Sequence, residues 1–169
     1  MRAAVGAAAL PNAIAVALSV AAGAGVIGVQ FIGSGSTTVL SADIVTSGTA
    51  IDIADAVQVD GANITLDTTN GATVSAGANI RITGGSAGIF ATAGATTNNL
   101  TINSGTGGTA LLGSLLGFGT GGGAGELVNN LTVNAATTAL PSVNILAGTV
   151  GITSTNITLG ADLTAGSTT

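Results

Sequence analysis

The 169-residue chain contains no His, Cys, Tyr, Trp or Lys, and each absence removes a class of chemistry. Without His, Cys, Lys or Tyr the usual general bases and activated nucleophiles are missing, so a Ser-His-Asp triad is impossible and only carboxylates remain. No cysteine means no disulfide framework and no thiolate metal site. Two Arg against seven acidic residues, net charge −5, leave no basic stripe to neutralise phosphates, which excludes nucleic acid as a partner. Charged residues make up 5% of the chain, whereas an ordinary globular domain carries about 25%. The aromatics are Phe31, Phe90 and Phe118 alone. Disordered chains combine low hydrophobicity with high charge, and this chain, 46% apolar, reverses both. What remains is a membrane protein or a close-packed β structure of small residues.

The chain is instead rich in one short alternating unit. Asn-(Ile/Leu)-Thr-(Leu/Ile/Val) occurs at Asn63, Asn99, Asn130 and Asn156, punctuated by Gly, Asn, Asp and Ser. Such recurrence is the signature of a stacked repeat architecture. In an extended strand residues i and i+2 share a face, so Ile64 and Leu66 point to a core while Asn63 and Thr65 decorate a surface. Coils stacked about 4.8 Å apart would place equivalent Ile, Leu and Val residues in a dry ladder and pair the main chain above and below. With Asn79 included, the Asn anchors at 63, 79 and 99 stand 16 and 20 residues apart, followed by gaps of 31 and 26. A coil of a parallel β-helix needs on the order of 20 residues. The long gap predicts an insertion.

Strands are expected at 37–40, 50–53, 57–59, 63–66, 72–75, 79–82, 89–92 and 99–102, and again at 127–134, 143–146, 150–153 and 156–159. Between them, residues 105–126 form a Gly-rich insertion around Leu111, Leu112, Leu115, Leu116 and Phe118. Read plainly it is a connector. Its four Leu and one Phe also make an apolar patch suited to partner contact.

Residues 1–36 are an apolar N-terminal segment with two readings. Arg2, an apolar run and Ala21-Ala22-Gly23-Ala24 fit a secretory signal sequence. From Ala13 to Val20 every second residue is large and the intervening ones small, which fits a retained strand. Pro11, Asn12 and Gly23 interrupt the run before the roughly 20 residues a membrane helix requires. The organisation is therefore 1–36, solenoid coils over 37–104, the insertion at 105–126, and further coils over 127–169.

Other chemistry finds little footing. Asp43, Asp52, Asp55, Asp60 and Asp67 could supply oxygen ligands for calcium or a carboxylate pair for glycoside cleavage. They match no calcium-loop spacing and lack sugar-stacking aromatics, so they read as solvated turn carboxylates. Gly119 to Ala124 matches a Gly-x-Gly-x-x-Ala phosphate loop, yet no helix is expected after it. Asn63, Asn99, Asn130 and Asn156 also begin Asn-x-Thr glycosylation acceptors. A Thr-bearing face that orders water would need Thr-x-Thr at coil spacing, which does not recur.

The stretches 98–103, 129–134, 71–80 and 157–164 resemble the β-helical passengers of bacterial filamentous haemagglutinin-type adhesins and autotransporters, over roughly residues 40 to 169. The resemblance implies an extracellular, elongated right-handed β-helix used in adhesion or surface structure. The expectation is thus an all-β parallel β-helix. It acts as a structural, non-enzymatic subunit that self-associates into a surface filament or coat, with no cofactor, metal or small-molecule substrate. The apolar N-terminal segment is the expected joining element. The alternative is an adhesin fragment that binds a cell-surface ligand through 105–125.

Overall fold

The computed structural model describes residues 2–5, 12–14, 18–20, 28–32, 37–83, 88–92, 97–112, 128–140, 143–145, 149–160 and 163–165. They form β1 (Arg2–Val5), β2 (Asn12–Ile14), β3 (Leu18–Val20), β4 (Gly28–Phe31), β5 (Thr37–Leu40), β6 (Ile44–Thr46), β7 (Ala50–Ile53) and β8 (Ala56–Val59). The chain continues through β9 (Asn63–Asp67), β10 (Ile80–Ile82), β11 (Ile89–Ala91), β12 (Asn99–Leu112), β13 (Asn130–Leu140), β14 (Val143–Ile145), β15 (Val150–Leu159) and β16 (Leu163–Ala165). No helix occurs among the described residues.

The strands are short and rich in Val, Ile, Leu and Thr, and every paired strand runs parallel to its neighbour. Parallel neighbours cannot be joined by tight hairpins, so each connection must cross to another part of the molecule before the chain returns. The order of pairing shows where it goes. β1, β4, β7 and β10 are successive neighbours, as are β2, β5, β8 and β11, and so are β3, β6 and β9. Every third strand therefore stacks on its predecessor. β12 is long enough to belong to two of these rows at once: Asn99–Asn103 pair with β9 and Ala110–Leu112 pair with β10. That joins the first and third rows into one sheet, which β13 and then β15, stacked on β12, bring to ten strands.

Alternation within each strand sets the core. On β7, Ile51 and Ile53 are fully buried while Asp52 is not; on β8, Val57 and Val59 are buried and Gln58 is not. On β9, Ile64 and Leu66 turn inward and Thr65 outward. The inward side chains of three consecutive strands converge on one aliphatic core that also takes in Leu100, Ile102, Leu131 and Val133. Burying a Leu, Ile or Val side chain contributes about 1.5–3 kcal/mol each, so a core built almost without aromatics can still hold.

Three expectations are corrected. Residues 72–75 are not a strand but part of a turn: Asn70, Gly71, Ala72 and Gly77 all have positive φ, and the Asp67 carboxylate captures the Gly71 N–H at 2.8 Å. Asn79 does not align with Asn63 and Asn99. It precedes β10, where its Oδ1 accepts the Thr109 N–H at 2.9 Å, so it stands one row away. Third, Gly105 to Leu112 belong to β12, so any departure from the sheet begins no earlier than residue 113; residues 113–127 lie outside the described residues.

Glycine explains how β12 continues past Ser104. Gly105 has φ +73°, and a Cβ there would stand 2.6 Å from the Ser75 carbonyl oxygen and 2.7 Å from that of Ala76. The turn over 69–77 thus lies directly against the strand, held by the Thr106 and Gly107 N–H groups donating to the Ser75 and Ala76 carbonyls at 2.9 Å. The N-terminal segment contributes β1, β2 and β3, paired to β4, β5 and β6. Strand falls on Asn12–Ile14, which starts one residue before the alternating stretch Ala13 to Val20, and on Leu18–Val20 within it.

Candidate functional site

The three tetrads at 63, 99 and 130 are brought into register, residue for residue. Asn99 lies beside Asn63 on one side and Asn130 on the other, and the match continues through Leu100, Thr101, Ile102 and Asn103. Ile64, Leu100 and Leu131 form one buried column and Leu66, Ile102 and Val133 another. Outward, the amides link into a ladder: Asn99 Nδ2 donates to Asn63 Oδ1 at 2.8 Å, and Asn130 Nδ2 donates to Asn99 Oδ1 at 2.8 Å. Asn130 Oδ1 in turn accepts the Thr149 N–H at 2.7 Å. The steps are 36, 31 and 19 residues, so neighbouring layers hold unequal lengths of chain. Asn129 reinforces the ladder from the preceding position, its Nδ2 donating to Asn99 Oδ1 at 3.1 Å, while Asn98 Nδ2 donates to the Val59 carbonyl of β8 at 2.7 Å.

The fourth tetrad does not join this ladder. Asn156 lies beside Thr137, Ile157 beside Thr138 and Leu159 beside Leu140, in the other half of the sheet. Of the four candidate glycosylation residues, Asn63 and Asn156 are exposed, while Asn99 and Asn130 are half-buried with Nδ2 already donated within the ladder. A glycan on either of the latter would displace a ladder bond.

The β15 edge is the main apolar exposure among the described residues. Ile157 and Leu159 are each 49% exposed, although the residues beside them on β13, Thr138 and Leu140, are 0% and 1% exposed. They occupy the inward column but, among the described residues, have a strand on one side only. Of the candidate partner-contact residues, Leu111 is 40% exposed and Leu112 is fully buried; Leu115, Leu116 and Phe118 lie outside the described residues.

The carboxylates go to separate partners. Asp43 Oδ1 accepts the Thr65 N–H at 2.7 Å, and Asp60 accepts Ser41 Oγ at 3.0 Å and Thr92 Oγ1 at 2.5 Å. Asp55 is buried and accepts Thr38 Oγ1 at 3.2 Å. Asp52 holds Arg81 through two bonds, at 3.0 and 2.6 Å. That hydrogen bond, then the Coulomb attraction of Asp52, raises the guanidinium above its ordinary value against a small opposing desolvation. Two of the five are thus buried rather than solvated, because Asp55 and Asp67 satisfy hydroxyl and N–H groups of the chain itself. Among the described residues no three metal-binding side chains come together.

Asp67 was missed by sequence reasoning as an organiser. Its Oδ1 accepts from Thr69 N at 2.7 Å, Thr69 Oγ1 at 2.6 Å and Asn103 Nδ2 at 3.0 Å. Asp followed two residues later by Thr and then Asn-Gly is the local signal of such a side-chain-capped turn. Beside this turn opens a groove of about 500 Å³, lined among others by Thr69, Ala72, Ser75, Asn103, Asn134 and Thr153. No family model, curated protein or solved structure matches this chain.

Proposed function

We propose that the chain is a parallel β-helix serving as an extracellular or cell-surface structural subunit that associates end to end into a filament or coat. The observation that carries this reading is the β15 edge. Ile157 and Leu159 continue a column that is buried one layer below, and β15 has β13 as its only strand neighbour among the described residues. An exposed strand row with apolar inward side chains is a template for further strand pairing, which proteins otherwise blunt with charge, Pro or a cap. The recurrence of pairing at every third strand supports a three-sided coil. The texture of residues 98–103 and 129–134, similar to haemagglutinin-type passenger repeats, supports the surface setting. We assign the chain no catalytic role, on its lack of general bases and activated nucleophiles.

The joining element is a second copy's apolar N-terminal segment, whose β1, β2 and β3 have β4, β5 and β6 as their only strand neighbours among the described residues. Light scattering and electron microscopy test it. The intact chain should form elongated polymers, and Ile157→Lys with Leu159→Lys should leave monomers of unchanged circular dichroism. Strictly monomeric intact chain would sink the proposal. The second reading, ligand binding through 105–125, draws on the exposure of Leu111. Because Gly105–Leu112 lie in β12, the discriminating deletion is 113–125. Polymers that persist while cell binding is lost would favour the adhesin fragment.

A further inference from the structure

The chain contains one Asn-Gly pair, Asn70-Gly71, and it lies in the turn that Asp67 organises. Asn70 is exposed with φ 52°, and nothing stands within 4 Å of where a Gly71 Cβ would be. Asn70 and the space beside Gly71 are therefore open to solvent. The Gly71 N–H already points at a carboxylate, donating to Asp67 Oδ2 at 2.8 Å. Asp67 Oδ1 is fixed by its bonds from Thr69 and Asn103, so the acceptor is held in place.

We propose that Asn70 is a site of self-catalysed deamidation, with Asp67 as the proton acceptor. Gly71 N attacks Asn70 Cγ as its proton passes to Asp67 Oδ2. A new C–N bond closes a five-membered succinimide, and the side-chain nitrogen, taking the proton back, leaves as ammonia. Water then opens the ring at either carbonyl, giving Asp or, with one extra backbone methylene, isoaspartate. No redox partner is needed. The product adds one negative charge, and in the second case a longer main chain, to the turn that lies against Gly105 and lines the groove.

Other asparagines are held differently. Asn99 and Asn130 carry bulky Leu at the next position and spend Nδ2 in the ladder; Asn103, followed by Ser, donates Nδ2 to Asp67 and Thr69. They serve as internal controls.

The test is peptide mapping by mass spectrometry on the full chain incubated in mildly alkaline buffer, folded and in urea. The expected result is a product one mass unit heavier at Asn70 alone, formed faster in the folded chain than in the unfolded one. Asp67→Asn should slow it by at least about a hundredfold in the folded state, the low end of what a positioned base contributes, and leave the unfolded rate unchanged. Folded protein that converts more slowly than the same chain in urea would overturn the proposal, with no need of the variant. So would a folded Asp67→Asn variant as fast as the parent.

Discussion

The tetrads at Asn99 and Asn156 have nearly the same sequence and opposite surroundings. Leu100 and Ile102 are fully buried between β9 and β13, whereas Ile157 and Leu159 remain half exposed and have, among the described residues, a strand on one side only. Asn99 exchanges amide bonds with Asn63 and Asn130, whereas Asn156 stands exposed beside Thr137. The difference teaches that a tetrad contributes through its neighbours above and below. A strand at the end of the stack carries the same inward residues without the burial.

The largest effect should come from breaking the inner member. Leu100→Ala removes a fully buried side chain from the centre of a column and should destabilise by about 2–5 kcal/mol, read as a lowered urea midpoint. Leu159→Ala in dilute monomer should cost under about 1 kcal/mol, since half of that side chain already meets water. Equal shifts for the two would remove the contrast.

Next comes the ladder itself. Asn99→Ala deletes one donor and one acceptor and leaves Asn63, Asn129 and Asn130 each short of a partner, an expected cost of about 1–3 kcal/mol. Asn156→Ala should stay within about 0.5 kcal/mol, as exposed substitutions usually do. Thermal unfolding of both variants measures the pair. Substitution of Asn99 by Asp should be worse still at neutral pH, because a carboxylate cannot donate to Asn63 Oδ1.

Gly105→Ala tests whether the turn over 69–77 needs its close approach to β12. The added Cβ meets two backbone carbonyls below 3 Å at positive φ, so a loss of about 1–3 kcal/mol is expected. Hydrogen exchange should show the Thr106 and Gly107 amides losing protection first. A small effect is also expected of Arg81→Ala. Its pair with Asp52 is 50% exposed on the Arg side, so less than about 1 kcal/mol should be lost, and the loss should shrink as salt is added.

Much of this fold was legible in the residues. The alternation at Ile51 to Ile53, Val57 to Val59 and Ile64 to Leu66 named the strands, and at Ile64 and Leu66 the buried members, because the side-chain period of a strand is local and independent of what it pairs with. Asn79 shows the limit. Its Asn-Ile start looks like a further anchor, yet it belongs to another row, since the chain between Asp67 and Asn79 is spent on a turn. The turn itself was signalled by Asn70-Gly71, but the small residues after it read equally as a strand until Asp67 and Gly105 are placed beside them.

Sequence alone determined that the chain is β-rich, that its apolar residues alternate inward, and that it has no His, Cys, Lys or Tyr. Tertiary structure decided which tetrads meet, that β12 links two rows, that Asp67 commands a turn, and that Ile157 and Leu159 stand at an edge. The physical reason is range. Alternation is written within two residues, whereas the bonds that place one layer on the next join residues 19 to 36 apart in the chain.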